Sequence, residues 1–120
     1  MQTHPELPDL HYSLGMLYAQ QDQLQRAADY LRRAIELLPA YPEALNNLGI
    51  IYVRLQDLDK AEDQFKTGIR LAPNNDQSYL NLARLFAMRN DKEKAIEVLQ
   101  DLLHVQPQNS VALKALDELR

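Results

Sequence analysis

Residues 42–75 read PEALNNLGIIYVRLQDLDKAEDQFKTGIRLAPNN, and their pattern indicates the architecture of the whole chain. In the first half Leu45, Leu48 and Tyr52 recur at spacings of three and four, which predicts a helix with one buried face. After a short polar break the same spacing resumes at Ala61, Phe65, Gly68 and Ile69. Pro73 ends this second pattern because proline lacks an amide donor and disfavours helix in the residue before it. The stretch therefore predicts two helices joined by a short turn.

The rest of the chain repeats this stretch at a period of 34 residues. Pro39, Pro73 and Pro107 give the period, and Pro8 and Pro42 share it. The same shift aligns five further columns: Leu14, Leu48 and Leu82; Gly15, Gly49 and Ala83; Tyr18, Tyr52 and Phe86; Ala27, Ala61 and Ala95; and Leu31, Phe65 and Leu99. Because every column preserves size and polarity, the alignment indicates an internal repeat of helix pairs.

Small residues stand where the two helices of each unit must approach closely. We expect three pairs to face each other: Gly15 with Ala27, Gly49 with Ala61, and Ala83 with Ala95. A large side chain in either column would push the helices apart. This requirement explains glycine inside predicted helices, where it costs up to about 1 kcal/mol relative to alanine.

The composition agrees with an all-α chain. Leucine contributes 22 of the 120 residues and alanine 13, whereas valine, isoleucine and threonine together contribute 11, and this balance favours helix over strand. Seven helices are predicted, near 9–20, 24–38, 43–55, 58–72, 76–89, 92–105 and 110–119. The absence of cysteine excludes disulfides and thiolate metal sites.

Charge and hydropathy exclude several kinds of partner. The net charge of −4 argues against nucleic acid, whose phosphates attract basic surfaces. The basic cluster of Arg26, Arg32 and Arg33 is interleaved with acidic residues, which is typical of a solvated helix face. No apolar run approaches the roughly 18 residues of a membrane span, so no membrane insertion of this segment is expected. We expect a soluble domain, with the cytoplasm slightly favoured and the compartment otherwise open.

No pattern for catalysis, a metal or a cofactor emerges. His4, His11 and His104 are scattered, and no two lie at the i, i+4 spacing of a helical metal pair. Asp57 and Asp59 resemble the start of a calcium loop, but the glycine and glutamate that such a loop needs do not follow, so a turn is predicted there. The serines lie in no nucleophile elbow, and no phosphate-binding loop is present. We therefore expect no enzyme, no cofactor and no metal in this segment.

The unit resembles the tetratricopeptide repeat, whose 34 residues carry Leu-Gly, then Tyr, then Ala, then an aromatic residue or Leu, and then Pro. The resemblance implies an all-α fold, a right-handed superhelical α-solenoid of antiparallel helix pairs. It divides the chain into a tail (1–7), three full repeats (8–41, 42–75 and 76–109) and a capping helix (110–120). In the capping helix, Ser110 is expected to cap the N-terminus. Leu113 and Leu116 are expected to continue the buried columns of the repeats. Asp117 and Arg120 are expected to face outward, because the end of a solenoid needs a polar face.

The expected binding surface is the face of each first helix that lies opposite its buried positions. At about 100° per residue, this face contains positions 2, 5, 6, 9, 12 and 13 of each repeat. In the family that the unit resembles, the same face lines a concave groove. The predicted partner-binding residues are Tyr12, Met16, Gln20, Asn46, Asn47, Ile50, Arg54, Gln77, Leu80, Asn81, Arg84 and Met88. Their apolar and aromatic members are typical of a recognition surface. The alternative is that several of them pack against a neighbouring helix.

Two patterns within the family lead to different expectations for this groove. Members that capture a C-terminal carboxylate use, in order along the chain, Lys, Asn, Asn, Lys and Arg. The same columns here hold Tyr12, Met16, Asn47, Gln77 and Asn81. Because only Asn47 matches, this carboxylate clamp is not expected. Other members, such as the O-GlcNAc transferase repeats, carry an asparagine ladder that Asn47 and Asn81 match and Ser13 does not. Amide side chains on the surface can pair with an extended peptide backbone. Alanine at Asn47 or Asn81 is therefore expected to weaken binding without changing stability.

The sequence thus predicts a non-enzymatic scaffold, part of a larger protein, that holds an extended segment or a partner helix of another protein in the groove. The alternative concerns Leu10 and Leu17, which match Ala44 and Ile51 of the second repeat but have no preceding repeat to cover them. They predict further repeats upstream, self-association through this edge, or cover by a folded-back tail led by Leu7. An enzyme would require a catalytic domain elsewhere in a parent chain.

Overall fold

The computed structural model describes residues 7–120 and contains seven α-helices within them. They are α1 (Pro8–Gln20), α2 (Leu24–Leu37), α3 (Pro42–Arg54), α4 (Leu58–Leu71), α5 (Asp76–Met88), α6 (Lys92–Val105) and α7 (Ser110–Leu119). Each helix boundary lies within one residue of its predicted position, and no strand occurs in the described part of the chain. The prediction of an all-α chain is therefore confirmed. Residues 1–6, which include His4, lie outside the described residues.

The turn inside each helix pair has the same backbone in all three copies. Asp22, Gln56 and Asn90 have φ angles of 62°, 64° and 62°, the left-handed conformation that closes a Schellman motif. The amide that follows each of them bonds a carbonyl five residues back: Gln23 to Tyr18 at 2.9 Å, Asp57 to Tyr52 at 2.8 Å, and Asp91 to Phe86 at 2.8 Å. The chain therefore reverses at the same place in each pair, including the predicted turn near Asp57.

Proline and capping side chains set where several helices begin. A proline occupies the first position of α1 and of α3, where its missing amide would have had no partner within the helix. Asp57, Asp91 and Asn109 cap α4, α6 and α7 by accepting bonds from backbone amides over 3.4, 3.1 and 2.9 Å. The cap of α7 is thus Asn109. The assignment to Ser110 was wrong by one residue, because Ser110 is already helical.

The helices stack in chain order into an elongated superhelix of 56 × 27 × 20 Å. Each helix packs against the next along the chain, and α3 also contacts α5. The core is one continuous apolar cluster in which Leu31, Leu48, Phe65 and Leu99 are buried. Among the described residues, no helix is long and apolar enough to cross a membrane. The predicted α-solenoid is confirmed, since each pair buries its apolar faces against its neighbours.

The glycines of α1 and α3 mark the closest approach within a helix pair. A Cβ atom added at each would meet a large side chain of the second helix: at Gly49 the ring of Phe65 lies 2.3 Å away, and at Gly15 the Cγ atom of Leu31 lies 2.9 Å away. The backbone oxygen of Ala27 lies 3.2 Å from the same point at Gly15, so Ala27 faces Gly15 as expected. In addition, a large residue one turn farther along the second helix fills the space that each glycine leaves.

A second close contact joins neighbouring pairs at Gly68 of α4. A Cβ atom there would lie 2.4 Å from the Oγ atom of Ser78 in α5. Ser78 is completely buried, and its hydroxyl has no hydrogen-bond partner among residues 7–120. Glycine at position 68 therefore accommodates a buried hydroxyl that forms no hydrogen bond within the described residues.

We predict that Ser78→Ala raises the free energy of unfolding by about 1 kcal/mol, because it removes a buried and unpaired hydroxyl. Gly68→Ala alone is expected to lower it by about 1–3 kcal/mol through overpacking, and Ser78→Ala should recover most of that loss. Urea unfolding of the two single variants and the double variant measures the coupling. A Ser78→Ala variant that is less stable than the parent would contradict this account.

The last helix is apolar on one side only. Ala112 and Leu116 are buried against α6, whereas Asp117 and Arg120 are exposed, as predicted. Leu113 was expected in a buried column, but 46% of its surface is exposed. Its column faces the second helix of the same pair, as the stacking of the His11 ring on Tyr30 of α2 shows. Within residues 7–120 no second helix accompanies α7, so Leu113 stays uncovered.

Candidate binding groove

The twelve predicted partner-binding residues fall into three groups in the structure. Six are exposed: Gln20, Ile50, Arg54, Gln77, Arg84 and Met88. Three are half-buried: Tyr12, Met16 and Asn47. Three are buried, with 6–7% of their surface exposed: Asn46, Leu80 and Asn81. We call the face formed by the first two groups and the equivalent residues of α7 the groove face.

The burial of Asn46, Leu80 and Asn81 corrects the expectation that they lie on the surface and confirms the alternative for these three, that they pack against a neighbouring helix. Side chains of α3 and α5 meet along this face, so residues on it become covered by the neighbouring helix. Asn81 Nδ2 donates to Asn46 Oδ1 over 3.4 Å, and Asn46 Nδ2 donates to Asn75 Oδ1 over 3.3 Å. These amides therefore form hydrogen bonds that connect neighbouring helix pairs, and they are not exposed on the surface.

The asparagines at the sixth position of α3 and α5 make equivalent bonds. Asn47 Nδ2 donates to the Tyr12 hydroxyl over 2.9 Å, and Asn81 Nδ2 donates to Asn46 Oδ1. Each bond joins residues 35 apart, from the sixth position of one helix to the fifth position of the preceding first helix. The predicted ladder therefore uses its amide donors inside the protein. A search for polar pairs at a spacing of 35, rather than 34, would have found this signal.

The α1–α3 end of the groove face is aromatic and acidic. The rings of Tyr12 and Tyr41 lie 5.2 Å apart, and the Tyr41 hydroxyl donates to Asp9 Oδ1 over 2.9 Å. Burial, reinforced by this bond, raises the pKa of Tyr41 above the ordinary tyrosine value. Glu43 is exposed nearby on α3, and its backbone carbonyl accepts a second bond from Asn47. This end therefore presents negative charge beside aromatic surface.

An apolar cavity of about 190 Å³ lies between α3 and α5. Its walls are apolar, and its lining consists of Ile50, Val53, Phe65, Leu85 and Met88 together with Arg54, Asn81 and Arg84. Ile50 and Met88 remain 40% and 55% exposed beside it. The Arg54 guanidinium is already paired with Asp22. Apolar side chains from a partner could bury these exposed groups.

A larger cavity of about 390 Å³ lies between α5 and α7. Its apolar lining is Leu80, Ala83, Ala87, Leu99, Val111, Ala115 and Leu119. The charged residues around it are Arg84, Lys114 and Glu118. Residues of α7 were not among the predicted site residues, although Val111, Lys114 and Glu118 occupy the groove positions of that helix. Counting the capping helix as a half repeat would have included them.

Within residues 7–120, the leucines of the N-terminal edge are largely exposed, as predicted. Leu10 and Leu17 are 45% and 48% exposed, whereas Ala44 and Ile51 in the same columns of α3 are 0% and 3% exposed. The difference arises because α2 covers α3. Leu7, which the folded-back alternative would use as a cover, is itself 55% exposed.

These features define an α-solenoid of helix pairs with a groove along its first helices. The chain belongs to the tetratricopeptide repeat family, whose model matches residues 2–44, 12–76 and 46–110. Members of this family are generally non-enzymatic scaffolds for protein interaction. A search of curated protein sequences gives no significant match.

Solved structures similar to this chain include other tetratricopeptide domains. YrrB, described as a TPR protein with an unusual peptide-binding site, is 32% identical with a TM-score of 0.78, and the match covers 92% of this chain and 57% of YrrB. MamA is 24% identical with a TM-score of 0.80, over 88% of this chain and 61% of MamA. The TPR domain of Arabidopsis OM64 is 21% identical with a TM-score of 0.81, over 96% of this chain and 95% of that domain. The chain thus spans about three fifths of the length of YrrB and of MamA.

We predict that Asn81→Ala lowers the free energy of unfolding by about 1–2 kcal/mol, because it leaves the buried Asn46 amide with one fewer partner. Asn47→Ala, which removes a half-buried amide, should cost about half as much. Gln77→Ala on the same face is the control, since an exposed side chain costs within about 0.5 kcal/mol. Equal thermal midpoints for the Asn81 and Gln77 variants would contradict a stabilising hydrogen bond between Asn81 of α5 and Asn46 of α3.

Proposed function

We propose that the chain is a non-enzymatic scaffold whose groove face holds an extended segment of another protein. The observation that carries this proposal is the pair of apolar cavities that flank α5 on one face of the solenoid. Cavities lined by apolar side chains with a few polar groups at the rim are the usual form of a binding site. The likeness to YrrB, which is described as having a peptide-binding site, supports the same proposal.

An extended peptide fits this arrangement better than a single small molecule would. Packed helices lie about 8–10 Å apart, so passing from one cavity to the other requires about three residues of extended peptide at roughly 3.3 Å each. Ile50 and Met88 stand at the first cavity, and Val111, which is 55% exposed, stands at the second. A peptide crossing α5 would cover all three side chains.

The groove proposal is tested with peptides selected from a random display library on the immobilised chain. We predict that Ile50→Glu weakens the selected peptides at least about tenfold, because it places a charge where apolar surface should be buried. Val105→Glu is a matched control, since Val105 is also 40% exposed but lines neither cavity. Isothermal titration gives the affinities. Equal binding by the parent and the Ile50→Glu variant would reject the groove as the site.

The second candidate function is self-association through the N-terminal edge. The observation that favours it is the exposure of Leu7, Leu10 and Leu17 together, at 55%, 45% and 48%. Exposed apolar side chains that adjoin one another mark interaction surfaces.

We predict that the parent chain self-associates and that Leu10→Glu with Leu17→Glu makes it monomeric, as measured by light scattering at several concentrations. Leu113→Glu is the control, because Leu113 is 46% exposed at the opposite end of the solenoid. A monomeric parent chain that the double change destabilises would favour a folded-back tail instead. A monomeric parent of unchanged stability would reject both uses of this edge.

A further inference from the structure

Arg84 lies between the two cavities and lines both of them. Its side chain is exposed, and its Nη1 donates to Asn81 Oδ1 over 3.2 Å. Among residues 7–120 it forms no ion pair. Four other arginines do pair with carboxylates: Arg32 with Asp29, Arg33 with Glu36, Arg54 with Asp22, and Arg89 with Asp59 and Glu62. Arg84 is therefore a guanidinium that lies among apolar side chains and has no carboxylate within ion-pair distance in the described residues.

The other charges on the groove face divide it into two ends. Lys114 lies beside Arg84 at the larger cavity, and Glu118 is the one carboxylate in the lining of that cavity. Asp9 and Glu43 occupy the α1–α3 end instead. The basic part of the face is thus confined to the region of the cavities. A single acidic group placed there is attracted, whereas a long acidic run would also meet the carboxylates of the other end.

We propose that the groove selects a segment in which one acidic residue lies between two apolar residues about three positions apart. This inference rests on the proposed groove function and specifies its ligand. The apolar side chains enter the two cavities, and the carboxylate bonds the Arg84 guanidinium between them. Filling both cavities removes water from around Arg84. The pair then gains strength, because a charge-assisted bond is stronger where solvent is excluded.

The recognised carboxylate belongs to a side chain within the segment. At the start of α5 the groove set contains Gln77 and Asn81, neither of which is positively charged, and Asn81 is buried. Arg84 lies one turn farther along the same helix, between the cavities rather than at the start of α5. A peptide with a blocked C-terminus should therefore bind as well as a free one.

Three synthetic peptides test the inference on the whole chain by fluorescence anisotropy. They are Ser-Gly-Leu-Ser-Asp-Leu-Gly-Ser and its versions with Asn or Lys in place of Asp, each labelled at the N-terminus and amidated at the C-terminus. We expect the Asp peptide to bind about tenfold more tightly than the Asn peptide, with the Lys peptide weakest. The difference between the Asp and Asn peptides should shrink with added salt.

Variants of the chain assign this preference to one side chain. Arg84→Gln should remove the preference for Asp over Asn, and Arg84→Lys should retain part of it because the charge remains. Arg70→Gln is the control, since Arg70 is an exposed arginine on α4 that lines neither cavity. Thermal melts of each variant check that the bond to Asn81 is not needed for folding.

Each outcome bears on the inference separately from the groove proposal. Equal binding of the Asp and Asn peptides, or a preference that survives Arg84→Gln, overturns the acidic recognition. If the peptides bind without a preference for Asp but Ile50→Glu still weakens their binding, the proposed groove function stands. Failure of all three peptides to bind rejects this ligand class, and the display selection with Ile50→Glu then decides whether the groove binds another kind of segment.

Discussion

The first two helix pairs are built around a contact between a glycine in one helix and a large side chain in the next. At Gly49 the ring of Phe65 occupies the space of the missing side chain, and Leu31 does the same at Gly15. This close approach sets the spacing within a pair, and the left-handed turn residue sets its direction. Because the same columns recur every 34 residues, the same packing of two helices is repeated along the whole solenoid.

A solenoid buries its apolar surface only between neighbours, and its exposed surfaces follow from that. The column of Leu10 is covered in α3, α5 and α7 by the preceding helix, but it is open in α1. The groove face is open for a different reason, since each second helix packs on the opposite side of the first. The molecule therefore has one exposed apolar surface at its end and another along its length.

The asparagines link the stability of the solenoid to the position of a charge on the groove face. Asn81 and Asn46 join α3 to α5 beneath the surface, and Arg84 is linked to the same joint through Asn81. A guanidinium held by a buried amide loses less freedom when it binds a carboxylate. The residues that hold the helix pairs together thus also position the charge between the two cavities.

Local patterns in the amino-acid sequence were enough to predict the helices, the turn inside each pair and the family. Those features depend on periodicity, on proline and on residues that tolerate a left-handed backbone, all of which can be read within one unit. The exposed leucines of the first helix were also predicted, since a column without a neighbour is visible in the alignment. By contrast, only the folded chain decided which groove residues are buried, namely Asn46, Leu80 and Asn81. The exposure of Leu113 and the cavity that α7 completes with α5 also emerged only there. These outcomes depend on how far neighbouring helices overlap, and that overlap is set by side chains from different repeats packing together.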